Sequence, residues 1–176
     1  MPQFGAIIAG TGSSLPEKRL TNDDLSRMVE TNDEWIVQRT GIRERRIAGP
    51  GESTATLAAA AARKAIEAAG LEPKDIDLIV CATITPEMVF PSTACFIGAD
   101  LGMPGAAAMD ISAACSGFIY ALTTGASFIK SGQFKNVLVV GAALPEAANF
   151  FIDPAAAQRA VDDGQAVVYD ASFSAP

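Results

Sequence analysis

The stretch DISAACSGFIYAL, residues 110–122, holds a cysteine where an apolar strand hands over to an apolar helix. A thiol reacts as its thiolate, and the unpaired N–H groups and dipole of a helix N-terminus favour that anion. Cys115 takes such a position if the helix begins at Ser116. Ala113, Ala114 and Gly117 around it are small, so a substrate and the backbone could approach closely. The N–H of Cys115 could donate to an oxyanion. Position alone leaves a second reading open, a buried cysteine that only packs. The chain contains no histidine, so it offers the thiol no imidazole base. Cys81, mid-strand, and Cys95, mid-helix, stand in apolar company and read as packing residues. Three widely spaced cysteines without a CxxC pair suggest free thiols in a reducing cytoplasm and no zinc site.

A second group is TNDEWIVQRTGIRERR. Trp35 and Arg39 are four apart and share one helix face. An indole beside a guanidinium can stack a nucleobase and hold a phosphate. Arg43, Arg45 and Arg46 enlarge the positive patch. The same residues also fit a half-buried tryptophan beside a solvated basic loop.

The elements that must position these groups follow from pattern. FGAIIAGTGSSLP is an apolar run closed by Gly, Ser and Pro, a buried strand and a loop. TNDDLSRMVE opens with a capping box, Thr21 with Asp24, and TNDEWIVQRTG repeats it with Thr31 and Glu34, stopping at Gly41. GIRERRIAGPGES reads as a connector. A helix with a small-residue face runs from Ser53 to Gly70. IDLIVCATI and KNVLVVGAAL are strands covered on both faces. PSTACFIGADLG is a helix entered after Pro91, GAAAMDISAAC a short strand reaching Cys115, and QAVVYDA a last strand. SGFIYALTTGASFIKSG is apolar nearly all round, the pattern of a helix buried on every side. The alternation of strand and helix predicts an α/β fold with a largely parallel sheet.

At 176 residues and 49% hydrophobic, the chain can bury a sizeable core. Its net charge of -7 argues against nucleic-acid binding. No apolar run reaches membrane-spanning length, and the N-terminus lacks the basic region of a signal peptide.

Three segments, TNDEWIVQRTGIRERRIA, FPSTACFIGADLG and AMDISAACSGFIYAL, together resemble the β-ketoacyl-[acyl-carrier-protein] synthase III family. They agree in order and spacing, and the likeness runs in register from residue 5 to about 141. The resemblance implies a thiolase-like α/β fold, with residues 1–176 as a single N-terminal domain, the first of two similar halves. That half would hold a mostly parallel five-stranded sheet with helices on both faces. The implied activity initiates fatty acid biosynthesis in the cytoplasm. Cys115 would take the acyl group from acyl-CoA as a thioester, then condense it with malonyl-acyl carrier protein to a 3-oxoacyl product. No tightly bound cofactor is implied; acyl-CoA is a substrate. Trp35 would stack the CoA adenine, with Arg39 on its other side and Thr31 hydrogen-bonding the base. Phe90 would cross a homodimer interface to wall the partner's acyl pocket, and the strand before Cys115 would pair between subunits.

Two features depart from the family. Its second half supplies a His and an Asn that complete the site, and this chain has no His. Where the family has a GDGAGA-like turn, this sequence has VDDGQAVVYDA. Related readings are acyl transfer to an oxygen or nitrogen acceptor, and a non-catalytic subunit that pairs with a complementary second-half chain.

Overall fold

The computed structural model describes residues 5–144. They form two compact units, residues 5–14 with 52–144, and residues 15–51.

The larger unit is built on strand β3 (Leu78–Ala82), buried at every residue. It pairs in parallel with β4 (Ala107–Ile111) on one side and β5 (Val137–Gly141) on the other, with Val80 level with Met109 and Val139. Side chains alternate across a strand, so β3 feeds two cores. Ile79 and Cys81 join α3 (Thr54–Ala68) and α4 (Thr93–Asp100) through Ala58, Ala62, Ile66 and Ile97. Leu78, Val80 and Ala82 join Ala121 of α5 (Gly117–Lys130). The unit is therefore an α/β layer with helices on both faces, as the apolar runs require.

Helix α3 starts at Ser53, which forms a capping box with Thr56, and stops before Gly70 at φ 66°. Its small residues serve a close approach. Residues 10–12 pass over it so tightly that a Cβ on Gly10 would stand 2.3 Å from the Ala65 carbonyl oxygen.

That approach explains one correction. The expected N-terminal strand joins no ladder across residues 5–13, and Ile7 and Ile8 are 85% and 71% exposed. Gly10 and Gly12 lay the segment against a helix backbone rather than beside a strand. Among the described residues the parallel sheet has three strands, in the order β4-β3-β5. The expected strand QAVVYDA, and the departure at VDDGQAVVYDA, lie outside the described residues.

A second correction concerns α5, which is not buried on every side. Gly117, Ala121 and Gly125 form its buried stripe, while Phe118, Ile119 and Tyr120 are 46%, 59% and 56% exposed. The stripe is small because the sheet is close: a Cβ on Gly125 would meet Val137 and Val139 side chains at 3.0 Å.

The smaller unit pairs β1 (Lys18–Thr21) with β2 (Glu44–Ile47) antiparallel. The expected connector GIRERRIAGPGES therefore contains a strand. Thr21 and Asp24 form the capping box of α1 (Asn22–Ser26) as expected. Hydrogen bonds from the Thr21 hydroxyl and N–H hold the Asp24 carboxyl below its ordinary range, with Arg27 adding to the effect. Asn22, 1% exposed, centres the unit. Its Nδ2 donates to Asp33 at 2.7 Å and to the Ile42 carbonyl at 2.8 Å, and its Oδ1 accepts from Arg45. No helix among the described residues is long and apolar enough to cross a membrane.

Candidate active site

Strand β4 ends at Ile111, and its alignment with β3 continues one step as the Thr83 N–H donates to the Ile111 carbonyl at 3.1 Å. The chain then turns through Ala114–Ser116 in a short 3-10 stretch and enters α5 at Gly117. Cys115 sits in this turn, one residue before the N-cap Ser116, and is exposed. The packing-only reading of Cys115 does not fit an exposed thiol at the carboxyl end of a parallel strand, where open α/β sheets bind ligands.

The turn is held tightly. Ala114 adopts φ 45°, which costs a residue with a Cβ of order 1 kcal/mol and persists only where its surroundings enforce it. Gly117 is buried, and a Cβ there would lie 3.2 Å from the Ala82 Cβ. The lack of a side chain lets the first turn of α5 rest directly on the end of β3. Behind the turn, Asp110 of β4 accepts from the Thr93 N–H at 2.7 Å and the Ala94 N–H at 2.9 Å, fixing the start of α4. That carboxylate was not singled out from sequence, since its partners lie 17 and 16 residues away.

The other cysteines divide. Cys81 is fully buried, and burial first, then the charges of Asp110 and Glu87, pushes its thiol up to about 12. It packs, as expected. Cys95 stands near the start of α4, exposed, with its Sγ 3.2 Å from the Ser92 hydroxyl, so its expected burial is corrected. Phe90, in the segment between β3 and α4, is 86% exposed beside Val89 at 99%.

In the smaller unit, α2 (Asp33–Thr40) buries Ile36 and turns Trp35 outward, 52% exposed. The Arg39 guanidinium lies 4.3 Å from the centroid of the indole ring, a cation–π contact. The structure thus brings Trp35 and Arg39 together. Thr31 precedes the helix but does not cap it; Asn32 does, accepting the Trp35 N–H at 2.8 Å. Asparagine is the stronger N-cap residue, which moves the start one residue past the expected Thr31–Glu34 box. The positive patch is smaller than the sequence suggests. Arg45 is buried on Asn22, and Arg46 donates to the Pro16 carbonyl and pairs with Glu44. Arg43 remains exposed. A surface hollow lined by Arg63, Ile66, Glu67, Leu71 and Pro73 includes none of these residues.

A β-ketoacyl-[acyl-carrier-protein] synthase III from Caldanaerobacter subterraneus subsp. tengcongensis is 56% identical over 140 residues, 80% of this chain and 42% of that protein. The family model of 3-oxoacyl-[acyl-carrier-protein (ACP)] synthase III matches residues 109–168, from β4 through the Cys115 turn and beyond. Over these residues the chain is similar to the β-ketoacyl-[acyl-carrier-protein] synthase III family. The protein of that name from Xanthomonas oryzae pv. oryzae is 60% identical over 135 residues, covering 77% of this chain and 42% of its own length. The crystal structure of 3-oxoacyl-[acyl-carrier-protein] synthase III from Aquifex aeolicus VF5 superposes with a TM-score of 0.75 at 57% identity, over 77% of this chain and 44% of that one. The fold is accordingly thiolase-like α/β. The chain spans less than half the length of the curated relatives it matches.

Proposed function

We propose that this chain carries the acyl-accepting part of a synthase III acyltransferase of fatty acid biosynthesis. The observation that carries the reading is the exposed Cys115 in a tightly held strand-to-helix turn, inside the segment that matches the family model. The Cys115 thiolate attacks the carbonyl carbon of acyl-CoA. The bond from that carbon to the CoA sulfur breaks, CoA leaves as a thiolate that takes up a proton, and the acyl group remains as a thioester on Cys115. The backbone N–H of Cys115 is suited to meet the transient oxyanion, the Ser116 and Gly117 N–H groups being bonded to the Ala113 and Ala114 carbonyls.

Trp35 and Arg39 suit the CoA moiety: an exposed indole face for adenine and a guanidinium beside it, with Thr31 contributing a hydrogen bond to the base. Phe90 suits the wall of an acyl pocket in a second copy of the chain. Condensation needs more. Malonyl-acyl carrier protein loses carbon dioxide, and the resulting carbanion attacks the thioester carbonyl, releasing the Cys115 sulfur. Stabilising that carbanion as an enolate falls to a His and an Asn of a second half. These 176 residues hold no histidine, so the second step requires groups beyond them.

The test uses radiolabelled acetyl-CoA. Protein-bound label on the chain, absent in Cys115→Ser, supports the first step. Carbon dioxide release from malonyl-acyl carrier protein, only once a His- and Asn-bearing second-half chain is added, supports the second. Label that persists in Cys115→Ser overturns the assignment. A second reading, a non-catalytic pairing subunit, is favoured by the exposed Phe118, Ile119 and Tyr120. It predicts complex formation in size-exclusion chromatography without any labelling of Cys115.

A further inference from the structure

Between β3 and α4 the chain makes an excursion, residues 83–92, that leaves Met88, Val89 and Phe90 49%, 99% and 86% exposed. A short apolar stretch so exposed has no packing of its own to fix where its side chains stand. Its two ends, however, are tied to two helix starts. At the far end, Asp110 accepts from the N–H groups of Thr93 and Ala94 and holds the beginning of α4. At the near end, Glu87 reaches across to α3: its Oε1 accepts from the Ser53 hydroxyl at 3.0 Å and from the Ala55 N–H. A carboxylate on the first-turn amides of a helix is favoured by both hydrogen bonding and the helix dipole.

Beneath Glu87 the tie is buried. The Thr54 hydroxyl donates to the Thr85 carbonyl at 2.7 Å, and the two residues are 3% and 7% exposed. The Thr85 N–H donates to the Thr83 hydroxyl, and the Thr85 hydroxyl accepts from the Leu144 N–H, each at 3.0 Å. Thr85 is thus secured whatever happens at residue 87. From this near end, Glu87 extends the attachment toward Phe90, three residues farther on.

The geometry points to Glu87 as a positioning residue: by clamping the excursion onto the start of α3 it sets where Phe90 is presented, and so the acyl length the site accepts. This inference rests on the acyl-transfer reading, in which Phe90 walls an acyl pocket. Glu87 touches no substrate in this role; it acts through Phe90.

The test measures acylation of Cys115 by a short and a long acyl-CoA on the full chain, for the parent, Glu87→Gln, Glu87→Ala and Phe90→Ala. Glu87 is exposed and the Thr54–Thr85 tie survives its replacement, so the variants fold. Loss of one cap-type attachment changes a local equilibrium by a factor of about five. The long-to-short ratio is therefore expected to move about fivefold in both Glu87 variants, in the same direction as in Phe90→Ala. Alkylation of Cys115 by iodoacetamide, which needs no acyl pocket, stays at the parental rate. A parent that acylates with a ratio unchanged by either Glu87 substitution overturns the role of Glu87 and leaves acyl transfer standing. A parent that is not acylated at all overturns the acyl-transfer reading, and the selectivity role falls with it.

Discussion

Asp110 joins the strand that carries the Cys115 turn to the helix that follows Phe90, and its replacement should be felt throughout the larger unit. Its two carboxylate oxygens accept from two backbone N–H groups at 2.7 and 2.9 Å, with one oxygen on each. Ser92, the N-cap of α4, makes no side-chain cap hydrogen bond, so nothing on the helix itself replaces Asp110. Hydrogen bonds to a charged group contribute about 1.5–3 kcal/mol each, and removing the acceptor strands partly buried donors. Allowing for partial access by water, Asp110→Ala should cost about 3 kcal/mol, a large share of a typical folding free energy of about 5–15 kcal/mol. Asp110→Asn keeps one acceptor but turns an amide N–H toward the second donor, so about half that loss is expected. Urea unfolding followed by far-ultraviolet circular dichroism measures both; at a slope of about 2 kcal/mol/M the alanine midpoint falls by about 1.5 M. Asp100→Ala is the control. Asp100 pairs with Arg63 at 3.3 Å, but the two side chains are 52% and 57% exposed, and exposed pairs contribute about 0–1 kcal/mol. If Asp110→Ala costs no more than Asp100→Ala, the carboxylate does not hold α4 and the reasoning fails.

Thiol titration of the native protein should find two accessible cysteines, Cys95 and Cys115, with Cys81 reacting only after denaturation; three fast thiols would contradict the burial of β3. Native Cys81 keeps its proton up to about pH 12 while the unfolded thiol loses it near its ordinary 9.0. The native state therefore binds more protons in that window, and this contribution to stability is intact below pH 9 and declines as pH rises toward 12. Cys81→Ala should flatten the decline in denaturation curves, and an unchanged slope would refute the assignment. Trp35→Ala should weaken CoA binding about tenfold by calorimetry, the scale of losing one base-stacking platform; an unchanged affinity would remove Trp35 from the adenine site. Gly125→Val should destabilise by about 1–3 kcal/mol through overpacking against Val137 and Val139, and a neutral result in chemical denaturation would mean α5 stands farther from the sheet.

The parallel strands and the helices α3, α4 and α5 were legible because each announces itself locally. LIVCA and VLVVG are unbroken apolar runs, and Ser53 and Gly70 bracket α3 with a cap and a left-handed stop. The antiparallel pair was not legible, since KRLT and ERRI show no apolar alternation. Their ladder is supported from outside, by Asn22 reaching Asp33, Ile42 and Arg45 across 11, 20 and 23 residues. The opposite error at Ile7 and Ile8 has the same origin: an apolar run shows that a strand is possible, and only a partner edge makes one. At the site, the type and place of Cys115 were readable from its small neighbours. The positive φ of Ala114 was not, because alanine carries no signal for that conformation as glycine does. Glu87 and Asp110 were equally hidden, because each caps a helix distant in sequence.

Peptide mapping by mass spectrometry, after incubation of the folded chain with acetyl-CoA and denaturing quench, addresses the central claim most directly. The account predicts the mass of one acetyl group on the peptide containing Cys115, labile to hydroxylamine as a thioester is, with Cys95 and Cys81 unmodified. An unmodified Cys115 peptide, or an acetyl group found equally on Cys95, would contradict it.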